Sequence, residues 1–150
     1  MGLEQEIQQP AFRNEHHKAM VNIIYTSNFL LERVKAFVEN EDITHQQYNI
    51  LRILRGSTKP LSTLQIRERM LDKMSDTSRI VGRLLKKGLA DKKMCPTDKR
   101  LVDVTITPLG LQLIERLDNQ NIVLDKLTSN LEPKEAEKLN ALLDKLRDQP

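Results

Sequence analysis

The spacing of apolar positions along this chain changes several times, and each change marks an element. From about Phe12 to Val38, Met20, Ile23, Ile24, Ser27, Leu30, Leu31, Val34 and Val38 recur at helical intervals and form one stripe. Phe12, Val21, Tyr25, Phe29 and Phe37 lie off it. A helix that is apolar on more than one side is buried on more than one side, so this one is expected to meet something beyond its own core. Thr44 followed three positions later by Gln47 is a capping box that opens a second helix through Tyr48, Leu51 and Leu54 to Gly56. Ser62 and Gln65 repeat the signal after Pro60 and open a short third helix, with Leu64 and Met70 facing inward. Another helix begins near Ser75 and ends at Gly88, with Lys86 and Lys87 suiting the negative end of its dipole.

After Gly88 the spacing switches to alternation. Val102, Val104 and Ile106 alternate with Asp103 and Thr105, the mark of a half-buried strand, and 89–94 is its expected hairpin partner. Thr107 then caps a helix with Pro108 at its first position. Leu109, Leu113, Leu117, Leu124 and Leu127 predict that this helix is long and amphipathic, and Pro133 opens a last one bearing Ala136, Leu139, Leu142, Leu143 and Leu146. The fold class is therefore mainly α with a small β-hairpin. Two short helices joined by a few residues, the second more basic, outline a helix-turn-helix.

Charge changes the picture more than composition does. The 150 residues carry a net charge of +3, but 73–100 holds nine basic residues against three acidic ones, a local +6 that leaves −3 for the rest. One surface that meets a polyanion is the simplest reading, and nucleic acid is the commonest such partner. The length suffices for one domain with an ordinary core. A single cysteine, Cys95, rules out an intrachain disulfide and makes a reducing cytoplasm the expected location. The N-terminus does not read as a signal peptide. The longest uncharged stretch, 19–31, is 13 residues, short of the roughly 20 that a membrane span requires, so a soluble protein with no membrane partner is expected. No Gly-rich phosphate loop and no Cys–His nucleophile pairing occurs in the sequence. His16 and His17, adjacent on a helix, diverge by about 100°, and only His45 stands besides. Catalysis, a metal site and a cofactor are not expected.

In the basic helix, Ile80, Val81, Leu84 and Leu85 define the buried side, which places Ser75, Asp76, Ser78, Arg79, Gly82, Arg83 and Lys86 opposite. Hydroxyls and first-turn N–H groups can donate to phosphate, and arginine can fork onto guanine edges in a major groove. Gly82 removes a side chain where a bulky one would hold the helix away. At the hairpin tip, Asp98 and Arg100 share a strand face, so the carboxylate can orient the guanidinium towards the neighbouring minor groove, while Lys99 meets phosphate. The alternatives are a solvated helix face and a plain charged turn.

These residues carry a resemblance to the MarR family (multiple antibiotic resistance regulators) of winged-helix transcription factors. Residues 62–70 resemble the first helix of its reading head, SDTSRIVGRLLKKGL (75–89) its recognition helix, DKR (98–100) its wing tip and ITPLG (106–110) the exit into the long helix. Lys92 stands where an arginine commonly follows the first wing strand, and Asp76 sets a carboxylate on the reading face, able to accept from cytosine N4 but repelling phosphate. The resemblance implies a homodimer on a pseudo-palindromic operator, with a winged-helix lobe at about 42–106 and dimerisation helices at about 10–40 and 108–147 within one domain, 1–150. The apolar stripes at both ends agree, since a winged helix alone does not need them. A two-fold dimer would set its recognition helices roughly 34 Å apart, one turn of DNA.

The resemblance also implies a small aromatic or phenolic effector in the crevice beside the dimerisation helices. His16, Tyr25 and Arg52 are candidate polar groups there, with surface or core placement as the alternative. The functional expectation is a DNA-binding transcriptional repressor, because a dimer covering a promoter blocks polymerase without activation contacts. Two other readings stay open: a winged helix that docks an acidic protein, and a regulator switched by oxidation of Cys95, whose cationic surroundings favour the thiolate.

Overall fold

Two capping boxes set the helices around which the core forms. In the computed structural model, which describes residues 1–94, 96–97 and 102–148, a short α1 (Leu3–Glu6) precedes the long α2 (Glu15–Glu39). α3 (His45–Arg55) follows. At its start the Thr44 hydroxyl accepts from the Gln47 backbone N–H, and the Gln47 side chain accepts from Thr44 N–H, both at 3.1 Å. β1 (Leu61–Ser62) leads directly into α4 (Thr63–Arg69), where Ser62 and Gln65 form the second box. Then come α5 (Thr77–Lys86), β2 (Ala90–Met94), β3 (Val102–Ile106), α6 (Pro108–Asp118), α7 (Ile122–Asp125) and α8 (Pro133–Arg147).

The hairpin acquires a third strand. The sheet runs β1-β3-β2, all antiparallel, with Leu61 and Lys92 both opposite Val104, which is almost fully buried. α3 lies at the centre: Ile50, Leu51 and Leu54 pack with Ile66 and Met70, with Ile80, Val81 and Leu84 of α5, and with Leu113, Ile114 and Leu117 of α6. That packing makes one core shared by the 42–106 segment, α6 and the end of α2.

Three expectations are corrected. Leu64 does not face inward but is 63% exposed, and Ile66 takes its place beside Met70. Residues 66 and 70, four apart, share a helix face, whereas 64 and 70 do not. The helix from Pro108 does not run on through Leu127: α6 ends at Asp118, and α7 is a separate short turn. Asn119 and Asn121 are poor helix formers; the Asn121 amide donates to the Asp118 carboxylate, and the N–H groups of Gln120 and Asn121 bond to Leu117 and Asp118, tightening the chain to three-residue steps. Finally, α5 starts at Thr77 rather than near Ser75, with Asp76 as its cap.

Across 15–36 of α2 no residue is buried; only Phe37 and Val38 are, and Phe37 sets its ring edge-on to Tyr48. Met20, Ile23, Ile24, Tyr25 and Phe29 are all exposed, as are Ile122, Val123, Leu139, Leu142 and Leu146. No described helix is long and apolar enough to cross a membrane.

Candidate nucleic-acid interface

α5 is placed by its two ends. At the start, the Asp76 carboxylate accepts from Arg79 N–H at 3.2 Å, which satisfies an end donor and sets a negative charge at the positive end of the dipole. Asp76 is exposed, as the sequence predicts, and it also serves as the cap. Ser75 lies just before, its hydroxyl donating to the Asp72 carbonyl at 2.6 Å. At the other end, Leu89 N–H bonds to Leu84 O and Gly88 N–H to Leu85 O, with Gly88 at φ +71°. This is the left-handed closure that glycine favours.

The exit from α5 is tied to both wing strands. The Thr107 hydroxyl donates to Gly88 O at 2.6 Å and accepts from Gly110 N–H, and Thr107 N–H donates to Leu89 O. Gly110 permits this approach: a Cβ there would lie 2.3 Å from the Leu89 carbonyl oxygen. The ITPLG segment thus clamps the root of the hairpin against the end of the basic helix. Lys87 adds a second clamp, donating to the Asp42 carbonyl and to Gln47 Oε1.

Between the ends, Thr77, Ile80, Val81 and Leu84 are buried, while Ser78, Arg79, Arg83 and Lys86 are exposed and Gly82 is partly so. Among the described residues, the side chains of Arg79, Arg83 and Lys86 make no ion pair or hydrogen bond. Some cations elsewhere are engaged: Arg52 and Arg55 hold Asp118, Arg116 holds Glu41, and Lys73 and Lys87 donate to backbone carbonyls. The side chains of Arg67, Arg69, Lys92 and Lys93, like the α5 cations, make no such contact among the described residues. Among the described residues, this face of α5 carries three cations without a partner.

A notch of about 410 Å³ opens between α4 and the start of α5, lined by Thr63, Leu64, Arg67, Ser75, Asp76, Thr77 and Ser78. Arg67 was not singled out from sequence; its place four residues after Thr63 on α4 is the signal that would have found it. The Thr77 hydroxyl is buried without a hydrogen-bond partner. The wing-tip candidates Asp98, Lys99 and Arg100, and Cys95, the candidate for an oxidation switch, lie outside the described residues.

Among the described residues, no hydrogen bond or ion pair joins the candidate effector residues His16, Tyr25 and Arg52 to one another. His16 and Tyr25 are nine positions apart on α2, a separation of about 13 Å along the axis. Arg52 donates to the Tyr48 hydroxyl at 3.1 Å and to Asp118 at 3.3 Å. The Tyr25 phenol is pushed above its ordinary range, first by the charge of Glu6 and then by burial. A second cleft of about 310 Å³, lined by Glu41, Asp42, Lys87, Leu89, Leu109, Leu113 and Arg116, includes none of the three.

A model of the MarR family matches residues 41–101. The HTH-type transcriptional repressor IacR of Pseudomonas putida is 30% identical over 127 residues, 84% of this chain and 72% of that protein. Among solved structures, Sco3205, a MarR family transcriptional regulator from Streptomyces coelicolor in complex with DNA, superposes with a TM-score of 0.81 at 20% identity, covering 93% of this chain and 95% of that one. Bordetella bronchiseptica BpsR, whose DNA binding is regulated by 6-hydroxynicotinic acid, gives a TM-score of 0.80 at 19% identity over 93% of this chain and all of that one.

Proposed function

Because this chain belongs to the MarR family of transcriptional regulators, we propose that it is a sequence-specific double-stranded DNA-binding repressor that acts as a homodimer on a pseudo-palindromic operator. The observation that carries the reading is the exposed face of α5, where Arg79, Arg83 and Lys86 project together and, among the described residues, have no partner of their own. In this reading Ser78, Arg79, Arg83 and Lys86 enter the major groove, Ser75 and Asp76 shape the start of the helix, and Asp98, Lys99 and Arg100 reach the adjacent minor groove. The name of IacR as a repressor and the DNA complex of Sco3205 support it. The exposed apolar residues of α2, α7 and α8 support a dimer, since such faces are rarely left to water. The regulation of BpsR by 6-hydroxynicotinic acid supports a small aromatic effector that releases the operator.

The test is a titration of random-sequence duplex at two salt concentrations. Affinity should fall steeply as salt rises, because each neutralised phosphate releases a counterion. Arg83→Ala should weaken binding by about 1–3 kcal/mol while leaving thermal stability within about 0.5 kcal/mol of the parent. No binding by the parent even at low salt would sink the proposal.

A further inference from the structure

Glycines near the reading head can be asked what each is for. Gly88 has a positive φ, and Gly110 sits where a Cβ would collide with backbone. Gly82 has neither reason. It lies inside α5 with ordinary helical geometry, and a Cβ built on it finds no side chain and no other segment within 4 Å. Glycine in a helix interior is less favourable than alanine, so the fold carries an expense at this position that nothing inside the chain explains.

Its position supplies the reason. Arg79, Gly82, Arg83 and Lys86 recur at three- and four-residue steps on the side of α5 opposite Thr77, Ile80, Val81 and Leu84. The bare Cα of Gly82 therefore lies amid the three unpaired cations. Long cationic side chains can reach phosphates whether or not a methyl stands among them. A base edge pressed against the helix cannot tolerate one.

Resting on the DNA-binding reading above, we propose that Gly82 is a specificity-determining position, at which base edges on the floor of the major groove pack directly on the helix backbone. The contact is apolar and suits a thymine methyl. It lets α5 sit deeper by about the thickness of a methyl group, which brings Arg79 and Arg83 to base edges instead of phosphates alone.

Gly82→Ala and Gly82→Ser, compared with the parent, test this through melting temperature, affinity for a duplex that the parent selects from a random pool, and affinity for random duplex of the same length. The alanine variant should melt about 2–4 °C higher, bind the selected duplex roughly ten- to hundredfold more weakly and bind random duplex within about threefold of the parent. The serine variant should lose the same selectivity with a smaller rise in melting temperature. An alanine variant that keeps parental affinity for the selected duplex overturns the assignment of Gly82 and leaves the DNA-binding reading standing. A lower melting temperature also overturns it, since the glycine would then serve the fold. If the parent binds no duplex at all, the reading beneath fails and this proposal with it.

Discussion

Asp118 holds three partners at once: Arg55, Arg52 and the Asn121 amide. Burial on its own would raise its carboxyl, but the hydrogen bond and charge of Arg55, with Asn121 and Arg52, hold it below the usual carboxylate range. Glu41 is also held low, chiefly by its hydrogen bonds to Arg116 at 2.7 and 3.0 Å. Both groups titrate lower in the folded chain than in the unfolded one, so on acidification the unfolded state binds protons first. Their contribution is complete only above about pH 5, clear of the unfolded carboxyl range, and is lost progressively as the pH falls through that range towards the lowered folded values. Melting temperature should therefore drop between about pH 5 and pH 3, and Asp118→Asn should drop less over that interval while starting about 1 kcal/mol less stable at neutral pH. Equal acid sensitivity in the variant would remove Asp118 from the account. None of this was legible in the sequence, because Arg55 and Asp118 are 63 positions apart and only the packing of α6 on α3 brings them together. The same packing sets Arg52 beside Asp118 as an ion pair.

At the scale of elements, local chemistry was read well and long-range geometry was not. The boxes at Thr44–Gln47 and Ser62–Gln65 and the Thr107–Pro108 start depend on residues at most three apart, so the sequence contains the whole motif. β1 was missed because two residues show no alternation; it exists because β3 has an open edge to pair with. The basic helix α5 is legible in the sequence but starts two residues later than its capping pattern predicts, since Ser75 and Asp76 are both cap-forming types and only the fold decided between them. Asp76→Ala should cost about 1 kcal/mol through loss of the cap, whereas Asp76→Ser should melt within a few tenths of a kcal/mol of the parent and bind duplex DNA at least as tightly, having shed a carboxylate beside phosphates. Thermal melts with a parallel DNA titration check both, and an alanine variant as stable as the parent would show that the cap is idle.

The molecule as a whole is a cored winged helix flanked by helices whose apolar sides it does not bury. α8 has no buried residue, and α2 becomes buried only at its C-terminal end. A second copy covering these faces is the arrangement proposed above, and a charge placed on one of them tests it. Ile24→Glu or Leu142→Glu should raise the dimer dissociation constant by on the order of a hundredfold, as expected for an unpaired charge buried in an interface. Sedimentation would report monomers, and operator affinity would fall because two half-sites are no longer held together. Variants that stay dimeric and bind as before would place the interface elsewhere.

The main helices, the hairpin, the basic helix and its buried stripe were written in the sequence, because periodicity, capping and clustered charge are properties of neighbours along the chain, and the family was legible through the resemblance of its motifs. Tertiary structure alone decided which cations remain free. It sent Lys87 to the 42–47 segment, Arg52 and Arg55 to Asp118, and Arg116 to Glu41, and left Arg79, Arg83 and Lys86 without a partner among the described residues. That outcome depends on distances between residues far apart in the chain, which only packing around α3 sets.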